Sequence, residues 1–323
     1  MALNRCCAKY LLVICLSWQF SASLWAQNFP LRPIRYVVSD QAGSATDVLA
    51  RIVAKELAEK LGQQIVVDNR PGASSIIGAD IASKAPADGY TLVQMPTTVT
   101  ATSSLYKSLP YDLERDFAPI TRIGSGPSVV VVPASSLMKS TGDLLKLAKA
   151  KPGSINVASA GIGTCTHLAG EIFKRSASVD LMHVQYRGGG DALTAVLSGE
   201  AGVYFAPLAV ALPQIRSGKL RALAVTSAKA LPFLSDYPTV AESGVPGYEF
   251  NCWYGLFAPA ATPKQNIAII HRAVIAVLSM PEVRQRLNAL GYLPGNDRPE
   301  EFAAIVKADI AIHREIVRSF APQ

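Results

Sequence analysis

The stretch Ile34-Arg35-Tyr36-Val37-Val38-Ser39-Asp40-Gln41-Ala42-Gly43-Ser44-Ala45-Thr46-Asp47 runs from branched apolar residues into small ones, and a helix pattern follows. A second stretch, Ile155-Asn156-Val157-Ala158-Ser159-Ala160-Gly161-Ile162-Gly163-Thr164, does the same in the other half of the chain. Each reads as a strand, a loop without bulk and a helix start. Backbone N–H groups at a helix start lack partners, and the helix dipole favours negative charge there. A carboxylate fits such a place without any lysine or arginine. Single loops of this kind are common at the strand-to-helix junctions of α/β folds, so it is the pair that points to an anion held from two sides.

Outward from these loops, strand and helix patterns alternate along nearly the whole chain. Leu49, Ile52, Val53, Leu57 and Leu61 fall on one helix face, which Gly62 ends. A strand at 65–68, a Pro71-Gly72 turn, a helix through Lys84 and an Asp88-Gly89 turn into a strand at 90–94 complete βαβ units on a largely parallel sheet. The second half predicts strands at 129–132, 155–158, 183–186 and 203–205, with helices at 143–149, 166–174 and 191–197. A strand at 253–259 then crosses back, followed by helices at 265–279, 281–290 and 299–318. About 300 residues exceed one typical core. The expected architecture is therefore two α/β domains, 27–126 plus 251–323 and 127–250, with a ligand cleft between them. Short crossovers near Gly126 and Asn251 suit a hinge.

The N-terminus carries Arg5 and Lys9 before an apolar run and a small-residue segment ending at Ala26. It reads as a signal peptide, residues 1–26, so the mature chain is expected in the periplasm. Its removal lowers the formal net charge from +7 to +5. The remaining lysines and arginines are scattered with few aromatics among them, which gives nucleic-acid binding no support. Three of the five cysteines lie in the leader, leaving Cys165 and Cys252. They form one disulfide or remain a free buried pair.

In the cleft, Gly43, Ser44, Ala45 and Thr46 are expected to present N–H and hydroxyl donors from one domain, and Ser159, Gly161, Thr164 and Thr166 from the other. Asp47 reads either as the N-cap of the first helix or as a partner for a ligand ammonium. Thr97 and Thr98 follow one strand, and Phe205 and Ala206 end another, so all four are cleft candidates by position. His167 orients the second loop, packs beneath it or touches the ligand, whereas His183 reads as core. Arg187 either pairs with a second carboxylate or is solvated. No metal-ligand spacing, dinucleotide fingerprint or nucleophile elbow is present, so no metal, cofactor or catalytic residue is assigned.

Val67-Asp68-Asn69-Arg70-Pro71-Gly72-Ala73, Ala87-Asp88-Gly89-Tyr90-Thr91-Leu92, Leu109-Pro110-Tyr111-Asp112, His167-Leu168-Ala169-Gly170-Glu171, the segment from Ser217 to Val225 and Pro238-Thr239-Val240-Ala241-Glu242 occur in this order. Together they resemble the Bug family, the periplasmic substrate-binding proteins of tripartite tricarboxylate transporters. The resemblance implies a type II periplasmic binding protein fold that closes on a small carboxylated solute such as a dicarboxylate, an amino acid or an aromatic acid. It also implies water-bridged contacts to the rest of the ligand. The implied partner is a membrane permease of that type, with a membrane sensor domain as the alternative, and the chain is expected to be a monomer. One departure stands out: Ser39-Asp40-Gln41-Ala42-Gly43-Ser44 keeps one glycine and adds an acidic residue where the family has a proline-rich turn and two glycines.

Overall fold

The computed structural model describes residues 29–230 and 236–320. The expected signal peptide at 1–26 lies outside the described residues. From the first loop outward, β1 (Ile34–Val38), α1 (Ala45–Leu61), β2 (Ile65–Asn69), α2 (Ile76–Ser83) and β3 (Thr91–Pro96) form parallel βαβ units with β1 between β2 and β3. α1 ends at Gly62 in the left-handed conformation, with its N–H on the Ala58 carbonyl. Leu49, Ile52, Val53 and Leu57 bury one face of α1 against this sheet.

After α3 (Thr98–Leu105) the chain enters β4 (Phe117–Pro133), which organises the molecule. Its first part pairs antiparallel with β9 (Asn251–Pro259), from Phe117 opposite Pro259 to Pro127 opposite Asn251. From Ser128 onward it pairs instead with β7 (Val203–Pro207) and β8 (Leu220–Val225). Between lie α4 (Thr141–Ala150), β5 (Asn156–Ser159), α5 (Cys165–Ala177), β6 (Met182–Gln185), α6 (Gly189–Ser198) and α7 (Leu208–Arg216). The chain closes with α8 (Lys264–Leu278), α9 (Pro281–Ala289), β10 (Leu293–Pro294) and α10 (Pro299–Phe320). The strand order is β2-β1-β3-β9-β4-β7-β5-β6, with β8 and β10 also on β4. α10 lies along α3 and β4 and reaches α5, so it spans both halves of the sheet.

Two expectations are corrected. The sheet is mixed, because its central strands β9 and β4 run antiparallel to their neighbours. The strand expected at 129–132 begins twelve residues earlier, at Phe117. Pro119, Gly124, Gly126 and Pro127 hide that first part, and they accompany two register shifts against β9.

Candidate functional site

The first loop is pinned from several sides. Ser44, with extended backbone, caps α1 by accepting from the Asp47 N–H at 3.2 Å. Asp47 reaches back to the Gly43 N–H at 2.8 Å, which closes a reciprocal capping arrangement. Gly43 has φ +80°, a conformation that disfavours side-chain-bearing residues. Asp47 also accepts from Arg51 Nε at 2.9 Å and Asn69 Nδ2 at 3.0 Å. Burial acts to raise its carboxyl, but the Arg51, Gly43 and Asn69 hydrogen bonds outweigh this and hold it below the usual range. The N-cap reading of Asp47 gives way, because Ser44 is the N-cap, and the Asp47 carboxylate has protein partners on both oxygens. The Thr46 carbonyl accepts from Gln94 Nε2 at 2.9 Å, and Gln94 in turn accepts from the Tyr36 hydroxyl at 2.7 Å. That buried chain ties the start of α1 to β1 and β3. The N–H groups of Ala45 and Thr46 have no hydrogen-bond partner among the described residues, so the first turn of α1 is open to an anion.

The second loop is framed by two histidines. Gly163 N–H donates to His167 Nδ1 at 3.0 Å, and Ser159 Oγ lies 2.6 Å from His183 Nε2. The imidazoles stack with centroids 3.9 Å apart. Burial, then the neighbouring His183 and Lys174, push His167 down to about 3, while burial and Lys174 push His183 down to about 4. Both rings are neutral at ordinary pH. Thr166 Oγ1 accepts from the Ala160 N–H at 2.9 Å, Gly161 N–H donates to Ser159 Oγ at 3.2 Å, and the Thr164 hydroxyl donates to the Gly161 carbonyl at 2.7 Å. The hydroxyls expected to meet the ligand thus hold the loop itself. The donors left over are the Cys165 and Thr166 N–H groups in the first turn of α5, which have no partner among the described residues.

The segment before α2 lies between the two loops, with Ser75 beside Asp40 of the first. Ser74 Oγ, next to the start of α2, donates to the Ile162 carbonyl at 3.2 Å. Leu105 at the end of α3 fills the space where a Cβ on Gly163 would stand, and Gly163 has φ +76°. Cys165 and Cys252 form a disulfide with Cα atoms 5.9 Å apart, joining the first residue of α5 to the start of β9. Thr98 Oγ1 lies 3.9 Å from Cys165 Sγ.

Other candidates are placed elsewhere. Thr97 is spent on β9, accepting from the Trp253 N–H at 2.7 Å. Phe205 points into the core, 5.4 Å from the Phe173 ring. Ala206 is fully buried in the cluster on the opposite face. Arg187 is 98% exposed and 3.7 Å from Asp191, at a surface groove shared with Tyr186 and Glu200. His183 is only half-buried and supports the loop rather than the core.

Further polar groups lie near the loops: Asp40, the acidic departure seen in the sequence, and three tyrosines that the sequence reading did not single out. Asp40 accepts from the Thr46 hydroxyl and lies beside Ser75. Tyr254 on β9 is within electrostatic reach of both Asp40 and Tyr204, and its ring meets Tyr292 edge-on at 5.4 Å. Tyr204 on β7 is fully buried with its hydroxyl near Thr166 and Gly189. Neither the Tyr204 nor the Tyr292 hydroxyl has a well-aligned hydrogen-bond partner among the described residues. Strand alternation is the signal that would have found Tyr204: if Phe205 faces the core, Tyr204 faces the other way.

Residues 49–321 match the model of the tripartite tricarboxylate transporter family receptor. BugT of Bordetella pertussis is 32% identical over 300 residues, covering 92% of both chains. The structure of an R. palustris protein with adipate superposes with TM-score 0.84 at 34% identity, covering 90% of this chain and 97% of that one. MatC from Rhodopseudomonas palustris with bound malate gives TM-score 0.81 at 30% identity, covering 90% of this chain and 100% of that one. These likenesses extend to the periplasmic binding protein fold and to carboxylate binding by relatives, and the family is one of binding receptors rather than enzymes. The chain belongs to the tripartite tricarboxylate transporter receptor family, which includes the Bug proteins.

Proposed function

We propose that this chain captures a small carboxylated solute between its two loops by closure of two lobes, 27–126 plus 251–323 and 127–250, and delivers it to a tripartite tricarboxylate-type permease from the periplasm. The observation that carries the reading is the pair of open helix starts, Ala45 and Thr46 on α1 and Cys165 and Thr166 on α5, bridged by the segment before α2, whose Ser75 lies beside Asp40 of the first loop and whose Ser74 donates to Ile162 of the second. Hydrogen bonds from such donors to a charged group contribute about 1.5–3 kcal/mol each. A few of them, net of ordering costs, reach the roughly 8 kcal/mol of micromolar binding. Relatives with adipate and malate support the class of ligand. The test is a thermal-shift and calorimetric screen of mono-, di- and tricarboxylates, each beside its neutral amide. An acid that stabilises the protein while its amide does not is the expected outcome. Equal effects of acid and amide, or none from any acid on folded protein, would sink the reading.

A further inference from the structure

The floor between the loops holds an acid that the donor pattern does not require. Asp40 is the second residue after β1 and is partly accessible, with Thr46 and Ser75 as its hydroxyl neighbours. Among the described residues no lysine or arginine pairs with it, although Asp47 and Asp68 nearby in sequence each have an arginine. Two buried hydroxyls, Tyr204 and Tyr292, lack a well-aligned partner, and Tyr254, whose ring meets Tyr292 edge-on at 5.4 Å, lies within electrostatic reach of Asp40 and Tyr204. A carboxylate and unpartnered hydroxyls enclosed this way each carry a desolvation cost that a polar ligand group would offset. A plain dicarboxylate brings its second negative charge against Asp40, which is unfavourable in a low-dielectric cleft. An ammonium matches it.

Resting on the carboxylate reading above, we propose that Asp40 receives the protonated amine of the solute, with the tyrosine hydroxyls of the floor completing its shell. The receptor is then selective for amino-carboxylates. Burial raises the Asp40 carboxyl while the Thr46 and Ser75 hydroxyls act to lower it, so the group gains from a cationic partner.

The experiment is calorimetry on the disulfide-intact protein with matched probes: L-aspartate and succinate, L-glutamate and glutarate, L-2-aminoadipate and adipate, L-norleucine and hexanoate. The expected result is one amine-bearing probe binding about ten- to a hundredfold more tightly than its amine-free partner. Asp40→Asn erases that preference. N-acetylated probes, which keep the carboxylate and lose the cation, give the same answer on wild-type protein if the variant fails to fold. Amine-free acids binding as well as their partners, or an undiminished preference in Asp40→Asn, overturns the role of Asp40 and leaves carboxylate capture standing. Binding by no probe of either kind overturns both.

Discussion

Asp47 and Tyr204 show two opposite fates of a polar side chain near the proposed ligand site. Asp47 has both oxygens engaged, by Gly43, Arg51 and Asn69. Asp47→Asn is expected to lower stability by about 1–2 kcal/mol while leaving ligand affinity unchanged. Thermal denaturation beside calorimetry checks this, and lost binding at an unchanged melting temperature would return Asp47 to the site. Tyr204 is the reverse case, because its hydroxyl is buried without a well-aligned partner. Removing a buried polar group of that kind is neutral or stabilising by about 1 kcal/mol. Tyr204→Phe should therefore leave the empty protein at least as stable and yet bind the solute about tenfold more weakly. A destabilised variant with full affinity would refute this.

At the scale of elements, the pairing of α5 with β6 makes the second loop sensitive to acid. His167 and His183 are held near 3 and 4, and His313 on α10, 2.6 Å from Thr100 Oγ1, near 4. The folded protein keeps these rings neutral, whereas the unfolded chain takes up protons below about 6.5. Stability is thus full above that pH and falls as pH drops toward 4, by roughly 1–2 kcal/mol per ring at pH 5. Glu171, 3.7 Å from His167 Nε2, opposes the loss, while Lys174, 3.0 Å from Glu171, reinforces it. Melting temperatures from pH 7.5 to 5 should show the slope, and His183→Gln should flatten it. A flat wild-type profile contradicts the prediction. Elements whose apolar period is unbroken, such as α1 with Leu49, Ile52, Val53 and Leu57, were legible in sequence. So were both loops, since small residues between a strand and a helix leave few alternatives. The first part of β4 was hidden by its prolines and glycines. Which residue of a strand end faces the cleft was not legible at β7, because 204 and 205 differ only by alternation and packing decides the phase. The sequence places the hydroxyls of Ser159 and Thr164 in the second loop, but it does not say whether a hydroxyl serves a ligand or its own loop.

For the whole molecule, the bond between Cys165 and Cys252 closes a chain segment of 87 residues and ties α5 to β9. The chain-entropy relation puts such a loop at about 4.6 kcal/mol, and measured disulfides typically contribute about 2–4 kcal/mol. Wild-type protein should melt lower with reductant, and the double variant Cys165→Ser, Cys252→Ser should melt low with or without it. Indifference of the wild type to reductant would show that the bond does not support the fold. Mass measurement of protein from a periplasmic extract should find a mature chain beginning at Gln27, and an unprocessed chain would contradict export. Cys252 pairs with Gly126, where β4 hands over from one half of the sheet to the other. The bond therefore anchors the first turn of α5, with its open Cys165 and Thr166 N–H groups, to the sheet at that handover. In the closure proposed above, these donors are fixed to the strand that crosses between the lobes, and cutting the bond is expected to loosen the grip on a solute as well as the fold.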